Sequence, residues 1–434
     1  MPDHQPDSVK AQASSTDGSP DAVIAINFVA DAGKQMLESS PSVSEVIARL
    51  RQFLPAVDLD GCSLDANMSS ITVSYWQPGM PLPLTTMRDV LVSEPRLEQL
   101  KAVDSLLDLY EKGGIHLGEA YDQLRTLHHT PHLKRRYVRQ AILVSVLGWV
   151  LFLDGLTMPT VLVALLATLL TFPIDTVVSR LRLPLVFGTV IAAVVVAAVP
   201  NLLAANGVDL LVGPAVVGAL FIYLPGRSLV SAVIDGLTNA PMSSLSRGYQ
   251  ALVTAGALAI GMLIGSSVGI GFGLTYQPRV DATPLALSIL GATIGVLGIA
   301  VAWGLPRRQL FPTLLIAATG WLVVALNLGG AQMSDWFPYA IASVLVGVLG
   351  SIIAAAQRTA ASVYVGVAIL PLVPGFTLYS GMLALAQGQT ANAVTILSSA
   401  VAISLAVAVG VATGVALGRN VIDAYRWVRM HEKR

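Results

Sequence analysis

The chain has 434 residues and a formal net charge of zero; 54% of its residues are hydrophobic and only 12% are charged. Such a balance over this length excludes an ordinary soluble domain, and the neutral charge gives no indication of nucleic-acid binding. A single cysteine, Cys62, excludes a disulfide framework and a thiolate metal cluster. At the start of the chain, residues 1–20 are polar and rich in Pro, Ser and Asp, which predicts a disordered tail rather than a cleaved signal peptide.

Residues 21–133 carry most of the charge and predict a small soluble cytoplasmic α+β domain. Apolar residues recur at helical spacing in several of its segments, whereas Ile71, Val73 and Tyr75 alternate as in a strand. Helices are predicted at 21–39, 43–53, 94–112 and 117–127, and strands at 61–64 and 69–75.

An apolar region follows, in which no Lys, Glu or His occurs between Ala141 and Gly418. A helix needs about 20 apolar residues to cross a bilayer, and ten such segments follow one another. The first is short and can begin earlier, with its arginines snorkelling to the interface. The fourth is drawn only to a helix break, beyond which it can continue. The predicted spans are 140–154, 157–178, 183–203, 208–224, 247–272, 284–303, 310–328, 336–356, 361–386 and 391–417.

Basic residues support this count and indicate an orientation. With the N-terminal domain inside the cell, every Lys and Arg from Lys134 to Arg434 falls on the cytoplasmic side except Arg279. An excess of Lys and Arg marks cytoplasmic loops. We therefore expect a multi-pass membrane protein with both termini in the cytoplasm and a cytoplasmic tail at 419–434.

A Pro-Gly pair occurs twice inside apolar segments. Leu224-Pro225-Gly226 and Val373-Pro374-Gly375 lie 149 positions apart, and the same shift superimposes the spans of 140–273 on those of 284–418. Each half then has five spans, and an odd number makes the halves enter the bilayer from opposite faces. The predicted fold class is an α-helical polytopic membrane protein with ten transmembrane helices in a 5+5 inverted repeat, preceded by the α+β domain. The alternative is a loose alignment of generic apolar helices.

The two breaks are the candidate substrate-binding elements. Proline removes a backbone donor and glycine allows unusual dihedral angles, so carbonyls before each break and amides after it lose their helical partners. In a bilayer these groups need other partners; a fresh helix start suits a carboxylate, and free carbonyls suit an ammonium group. A zwitterion such as an amino acid fits, although a simple kink packed against a neighbour is the alternative. The candidate residues are Leu224, Pro225, Gly226, Ser228 and Ser231 in the first half and Val373, Pro374, Gly375, Thr377 and Ser380 in the second.

Charged residues in or near the spans are candidates for proton coupling. Asp235 follows the first break, and at membrane depth it would bind a substrate ammonium group or carry a proton. The alternative is a cytoplasmic loop residue paired with Arg227 or Arg247. Asp175, in the last turn of the second span, is the other candidate, with interfacial solvation as the alternative. Arg227 and Arg247 are candidate partners of Asp235 or of a substrate carboxylate, or else plain positive-inside anchors.

One row of glycines predicts close helix packing. Gly261, Gly265, Gly269 and Gly273 recur every four residues along the fifth span and its end. Small residues at this spacing let two helix backbones approach each other. We expect the row to serve packing rather than transport.

The motifs around both breaks resemble those of the threonine/serine exporter family. The run 224–236 followed by Arg247 is similar to the first family motif, and 369–375 with 379–381 is similar to the second. The N-terminal domain is similar as well, so that the resemblance covers nearly the whole chain after its polar tail. One departure is Ser39-Ser40-Pro41, where family members often have Ser-Gly after the first helix.

The resemblance implies a ten-span inner-membrane exporter of small hydroxy amino acids, threonine and serine, driven by the proton gradient. It also implies that the N-terminal domain belongs to the transporter and need not be an enzyme. The expected partners are a small amino acid, protons and the lipid bilayer, with no nucleic acid; a homo-oligomer stays open. No cofactor or metal is expected, because the spacing of His128, His129 and His132 matches no metal site.

Two other functions stay open on the sequence. One is a channel or facilitator for small polar solutes, although two equivalent breaks in one chain are more typical of alternating access than of a pore. The other is a membrane-anchored enzyme or sensor that uses the N-terminal domain, although ten spans are far more than an anchor needs.

Overall fold

The computed structural model describes residues 20–39, 42–77, 81–91, 96–129, 135–153, 156–181, 183–238, 240–272, 283–326, 335–357 and 359–431. The described part of residues 20–129, which we call the N-terminal unit, forms four helices and an antiparallel sheet of strand order β1-β2-β3. The elements are α1 (Pro20–Glu38), α2 (Val43–Phe53), β1 (Ser63–Ala66), β2 (Ser70–Tyr75), β3 (Leu84–Asp89), α3 (Leu97–Glu111) and α4 (Leu117–His129).

The predicted elements of the N-terminal unit are present, with two differences. All four helices and β2 lie where their apolar periodicity places them, whereas β1 begins at Ser63, two residues later than predicted, and extends to Ala66. Strand β3 was not predicted. Its residues alternate between half-buried and exposed, and none of them is fully buried. The strand therefore lacks the apolar alternation that indicates a strand in sequence.

Aromatic rings and one close backbone approach hold the N-terminal unit together. Phe28 of α1 contacts Phe53 of α2 with ring centroids 5.7 Å apart. A side chain at Gly33 would overlap those of Ile71 and Leu50, so glycine is required where α1 crosses the sheet and α2. These contacts pack α1 between the sheet and the other helices, where it buries apolar surface on several sides.

A charge cluster fastens α2 to α3. The guanidinium group of Arg49 contacts Asp104 at 2.8 Å, Asp108 at 2.7 Å and Glu111 at 2.7 Å. Burial alone would lower the pKa of Arg49, but the hydrogen bonds and the attraction from Glu111 and Asp104 outweigh it and raise that pKa above its ordinary value. The cluster is a structural tie between the two helices, because each of the three carboxylates bonds to the same cation.

The described residues after 135 form a helical bundle. Seven of its described helices are long and apolar enough to cross a bilayer, and the number rises to nine if each of two bent helix pairs is one span. The bent pairs are α8 with α9 and α14 with α15. The helices are α5 (Arg135–Phe152), α6 (Met158–Arg180), α7 (Leu185–Ala205), α8 (Val212–Leu220), α9 (Gly226–Leu237), α10 (Pro241–Gly271), α11 (Leu285–Ala302), α12 (Arg307–Ala325), α13 (Phe337–Ala356), α14 (Ala361–Ala368), α15 (Gly375–Ala386) and α16 (Thr390–His431).

Three helices extend beyond the bounds drawn for their spans, and for the fourth span the sequence left this continuation open. The fourth span, drawn as 208–224, continues beyond its break as α9 to Leu237. The fifth begins at Pro241, because proline at the first helical turn starts the helix before Arg247. The last helix continues to His431, well into the segment predicted as a tail.

The predicted count of ten spans depends on α5. Its first two turns carry Arg135, Arg136 and Arg139, so α5 is less apolar than the nine candidate spans. Elsewhere the bundle exposes large apolar side chains: Leu252 is 73% exposed and Leu405 62%. Surfaces of this kind are stable against lipid chains rather than water, as in a multi-pass membrane protein.

Small residues bring the helices together in pairs. A Cβ added at Gly261 would lie 2.5 Å from that of Ala193, and one at Gly265 would lie 2.6 Å from that of Ala197, so α10 contacts α7 closely. Packing by the glycine row is thereby confirmed, except at Gly273, which lies outside the described residues. Glycines also bring α13 against α16 and α5 against α11.

The N-terminal unit contacts one end of the bundle, which we call the proximal face; the opposite end is the distal face. The backbone N–H of Leu97 donates to the carbonyl of Trp303, directly after α11, at 3.1 Å. Ser44, at the start of α2, contacts Asp235 near the end of α9. Because α5 runs antiparallel to α11, with Phe152 beside the early part of α11, the C-terminal end of α5 points to the distal face.

Candidate functional site

Both Pro-Gly pairs interrupt a helix in the same way. A single 3-10 turn, Phe221–Tyr223 or Leu370–Leu372, follows α8 and α14. Leu224 and Val373 are then extended, with φ and ψ of −66° and 131°, and −73° and 128°. This is the backbone that a following proline favours. The helices resume as α9 and α15, and the bent pairs have angles of 49° and 45°.

The two breaks contact each other inside the bundle. A Cβ added at Gly375 would lie 3.1 Å from Cδ1 of Leu224. The space left between the breaks is about 10 Å³, room for about one water molecule and not for an amino acid. Its lining is apolar and consists of Val217, Leu220, Leu224, Leu258, Met262, Gly375 and Leu378.

The backbone at the second break is less open than predicted. The N–H of Gly375 donates to the carbonyl of Val373 at 2.7 Å, so neither group is bare. The carbonyl of Pro374 accepts from the N–H of Leu378 at 3.0 Å, which restarts the helical ladder at once. The expectation of bare peptide groups is therefore wrong for Gly375 N–H and Val373 C=O, because a tight turn pairs them locally.

Side-chain hydroxyls occupy equivalent positions after the two breaks. Ser231 on α9 is 0% exposed and Ser380 on α15 is 7% exposed. Neither hydroxyl has a hydrogen-bond partner in the described part of the chain. Most buried polar groups are paired, so these two hydroxyls are candidate contacts for a polar ligand. Ser228 and Thr377, which lie nearer the breaks, are half-buried.

Asp235 is buried and paired rather than exposed in a loop. Its Oδ2 lies 3.1 Å from Nε of Arg247, and the two side chains are 0% and 3% exposed. Its Oδ1 accepts from the backbone N–H and from the hydroxyl of Ser44, each at 3.2 Å. The sequence suggested Arg247 as a partner of Asp235, whereas Ser44, 191 positions away, could not be found by spacing.

Glu45 was missed on the sequence. It lies three residues after Ser42, which accepts from the N–H of Glu45 at 3.2 Å and caps α2. The Ser-x-x-Glu pattern therefore predicts a local capping box. In the structure the Glu45 carboxylate turns to the bundle instead: Oε1 accepts from the N–H of Ser362 at 3.3 Å and lies 3.9 Å from Arg419.

A cavity of about 1120 Å³ lies between the N-terminal unit and the proximal face. Its walls are polar and apolar in about equal parts and carry both charge signs; the ends of α9 and α13, the starts of α10 and α14 and a late part of α16 lie opposite α2 and α3. A volume of this size accommodates a small polar solute together with water. Polar lining residues include Ser44, Glu45, Arg49 and Asp104 from the N-terminal unit and Ser243, Ser351 and Arg419 from the bundle.

Aromatic rings fill the space on the distal side of the first break. Trp149 and Phe221 stack with centroids 3.9 Å apart and planes 7° from parallel. Phe152 contacts Trp321 edge-on with centroids 4.5 Å apart. Since Phe152 lies toward the distal face, this aromatic cluster separates the break from that face, whereas the polar cavity adjoins the proximal face.

Some predicted residues are placed only by their backbone. Asp175 lies within α6 and Arg227 within the first turn of α9, but the structure does not describe their side chains. The same holds for His128 and His129, and His132 lies outside it altogether. Within the described ranges no group of three His, Cys, Asp or Glu side chains could hold a metal ion.

Comparisons with known proteins point to one family over both halves of the chain. Residues 27–269 match a family model described as "Putative threonine/serine exporter", and residues 288–416 match one described as "Threonine/Serine exporter, ThrE". A "Probable threonine/serine exporter" of Mycobacterium tuberculosis H37Rv is 26% identical in an alignment 385 positions long that covers 85% of this chain and 72% of the relative. A "Threonine/serine exporter" of Corynebacterium glutamicum is 25% identical in an alignment 406 positions long that covers 87% of this chain and 79% of the relative. No solved structure matches.

The first family model alone spans more than half of the chain. Its match begins inside α1 and ends inside α10, so it covers most of the N-terminal unit and the first break together. The family is one of transporters, in agreement with the several apolar helices of the bundle. This multi-pass membrane protein therefore belongs to the threonine/serine exporter family.

Proposed function

We propose that the protein exports threonine, serine or similar small hydroxy amino acids by alternating access, coupled to proton entry. The observation that carries this proposal is the meeting of two helix breaks, each followed by a buried hydroxyl at the equivalent position. A cavity with charged and polar walls lies at the proximal ends of the broken helix pairs, and stacked aromatic rings lie beside the first break on its distal side. Alternating access needs a site that reaches one face at a time, and the different surroundings of the breaks toward the two faces support this proposal.

Two inverted halves of five spans fit the helix bounds. Helices α8, α9 and α10 begin at residues 212, 226 and 241, and α14, α15 and α16 begin at 361, 375 and 390, each 149 positions later. The first broken pair ends near the proximal face, where Asp235 meets Ser44, whereas the second begins there, where Ser362 meets Glu45. Equivalent broken pairs that run in opposite directions support an inverted repeat. With α5 as the first span, each half has five.

The cargo site lies between α9 and α15, and it is closed in this conformation. The apolar gap of about 10 Å³ between the breaks has to widen before an amino acid fits. When Leu224 moves away from Gly375, the hydroxyls of Ser231 and Ser380 become available to a polar cargo. A hydroxy amino acid can pair with both hydroxyls and so satisfy groups that are otherwise buried without partners.

Proton coupling is assigned to the Asp235–Arg247 pair, with Asp175 as the weaker candidate. A proton on Asp235 removes the charge that holds Arg247 and weakens the contact with Ser44. The contact between the N-terminal unit and α9 then loosens, which links proton uptake to movement of a broken helix. Burial of this ion pair where the N-terminal unit meets the bundle supports such a role, because removing one of two buried charges strongly changes the stability of the contact.

We place the N-terminal unit in the cytoplasm, together with the C-terminus, because almost all basic residues fall on that side. The proximal face is then the cytoplasmic face, and its cavity is where cargo enters for export. The N-terminal unit acts as a part of the transporter rather than as an enzyme, since its α2 contacts both broken pairs directly.

The test is exchange of labelled L-threonine in liposomes that contain the purified protein. Saturable exchange that speeds up when unlabelled threonine is present on the other side supports a transporter, and stimulation by an imposed pH gradient supports proton coupling. Flux that rises linearly with concentration and shows no counterflow contradicts alternating access and favours a channel. Substrate turnover by the protein without transport would favour the enzyme or sensor alternative.

A further inference from the structure

The contact between the N-terminal unit and the bundle buries charges that do not balance. Asp235 and Arg247 form a pair with side-chain exposures of 0% and 3%, and Glu45 adds a second carboxylate with an exposure of 9%. The charge of Glu45 acts on both members of the pair. Arg419 approaches Glu45 only to 3.9 Å and is 42% exposed, so water screens much of its attraction. The described buried groups therefore carry excess negative charge, which is costly without a counter-ion.

Two buried polar atoms of residues that line the proximal cavity lack partners within the described ranges. Oε1 of Glu45 accepts from Ser362, but Oε2 is buried and has no hydrogen-bond partner there. The hydroxyl of Ser351, a residue that is 3% exposed, has none either. Both residues line the same cavity. A carboxylate oxygen and a hydroxyl that lack partners, beside excess negative charge, suit a ligand that is positively charged and donates hydrogen bonds.

We propose that Glu45 and Ser351 form an entry site, which binds the ammonium group of a small zwitterionic amino acid in the cavity before the cargo reaches the breaks. An ammonium group carries three donors, and Oε2 of Glu45 and the hydroxyl of Ser351 can accept two of them. The positive charge of the ammonium group neutralises the excess negative charge at Asp235 and Glu45. Arg419, half-exposed beside Glu45, is available to the cargo carboxylate. The inference rests on the proposed function, because it names the first binding site of the same cargo.

A purely structural role for Glu45 makes a different prediction. Oε1 accepts from the N–H of Ser362 in the first turn of α14, as a helix-capping group would. Glu45→Gln keeps an acceptor oxygen for Ser362 and removes only the charge. A capping role survives this substitution, whereas an ammonium site does not.

The test is calorimetric titration of L-threonine into the full-length protein in lipid nanodiscs at one fixed pH. Glu45→Gln is expected to weaken binding about 10-fold or more, because a hydrogen bond to a charged group becomes one to a neutral group. Glu119→Gln, which removes an exposed carboxylate on α4, is the matched control and is expected to bind as the wild type does. L-threoninamide, which keeps the ammonium group, should compete; N-acetyl-L-threonine, which lacks it, should not.

Three results would overturn the entry site. They are unchanged affinity in Glu45→Gln, equal binding of N-acetyl-L-threonine, and the absence of threonine binding to the wild type.

A variant with Ser231→Ala and Ser380→Ala separates this inference from the proposed function. It is expected to lose transport and to keep threonine binding that depends on Glu45. Binding at Glu45 in a protein that never transports would sink the proposed function alone. If Glu45→Gln does not fold, Ser351→Ala takes its place, with a several-fold loss of affinity supporting the site and no loss overturning it.

Discussion

Replacing Ser231 or Ser380 with alanine is expected to make the protein more stable and a poorer exporter at the same time. Both hydroxyls are buried and have no partner among the described residues. A buried polar group left without a hydrogen bond costs about 1–3 kcal/mol. Each alanine is therefore expected to raise the free energy of unfolding by about 1 kcal/mol or more, because it removes that cost and little packing.

Ser343 offers a matched control. Its side chain is also fully buried, at 0% exposure, but its hydroxyl donates to the carbonyl of Tyr339 at 2.6 Å. Ser343→Ala removes a satisfied hydrogen bond, and a typical intramolecular hydrogen bond contributes about 0.5–1.5 kcal/mol to stability. The same substitution is thus expected to change stability in opposite directions at Ser343 and at Ser231.

The assay combines thermal unfolding in one detergent with threonine exchange in liposomes. We expect Ser231→Ala and Ser380→Ala to raise the Tm and to slow exchange about 10-fold each, since each removes a hydrogen bond to the cargo. Ser343→Ala should lower the Tm slightly and leave exchange near the wild-type rate. A lower Tm in all three variants, or full exchange without both hydroxyls, would refute the reasoning.

Three further predictions concern other groups. Arg247→Met leaves Asp235 buried without its cation and should lower the free energy of unfolding by about 3–5 kcal/mol. Adding Asp235→Leu should recover part of this loss. Unfolding curves that show the double variant to be less stable than Arg247→Met alone would contradict the prediction. Arg49→Ala leaves three carboxylates facing one another and should cost on the order of 3 kcal/mol, so a melting curve equal to that of the wild type would count against the cluster. Burial raises the pKa of Cys62 to about 11, so maleimide labelling should rise about tenfold per pH unit from pH 7 to 9. A rise of only about threefold between pH 8 and 9, as expected for an ordinary thiol with a pKa near 8.5, would contradict the burial.

The breaks and the helix pairing were predictable because their causes are local. Proline and glycine act on their own backbone, so Pro225 and Pro374 mark the interruptions whatever surrounds them. The glycine row on α10 likewise indicates close packing from its spacing alone. The bent form of the fourth span was left open, because the apolar pattern after Gly226 is diluted by polar residues of the buried site itself.

The remaining features depend on contacts between distant parts of the chain. Glu45 follows a helix cap, so its sequence setting indicates a local role, and only the fold brings it to Ser362, 317 positions later. The contact of Ser44 with Asp235 has the same origin. The gap between Leu224 and Gly375 is closed in this conformation. All conformations share one sequence, so the sequence alone does not indicate in which of them the gap is closed.

The central claim, that two interrupted helices form the cargo site, is tested most directly by making both helices continuous. Pro225-Gly226 and Pro374-Gly375 are each replaced with Ala-Ala, and labelled-threonine counterflow is measured in liposomes. Pro200→Ala is the control, since Pro200 lies inside α7 without interrupting it. We expect normal yield and insertion, with counterflow reduced to background in both Ala-Ala variants and unaffected in the control. Counterflow at the wild-type rate in both variants would contradict the central claim.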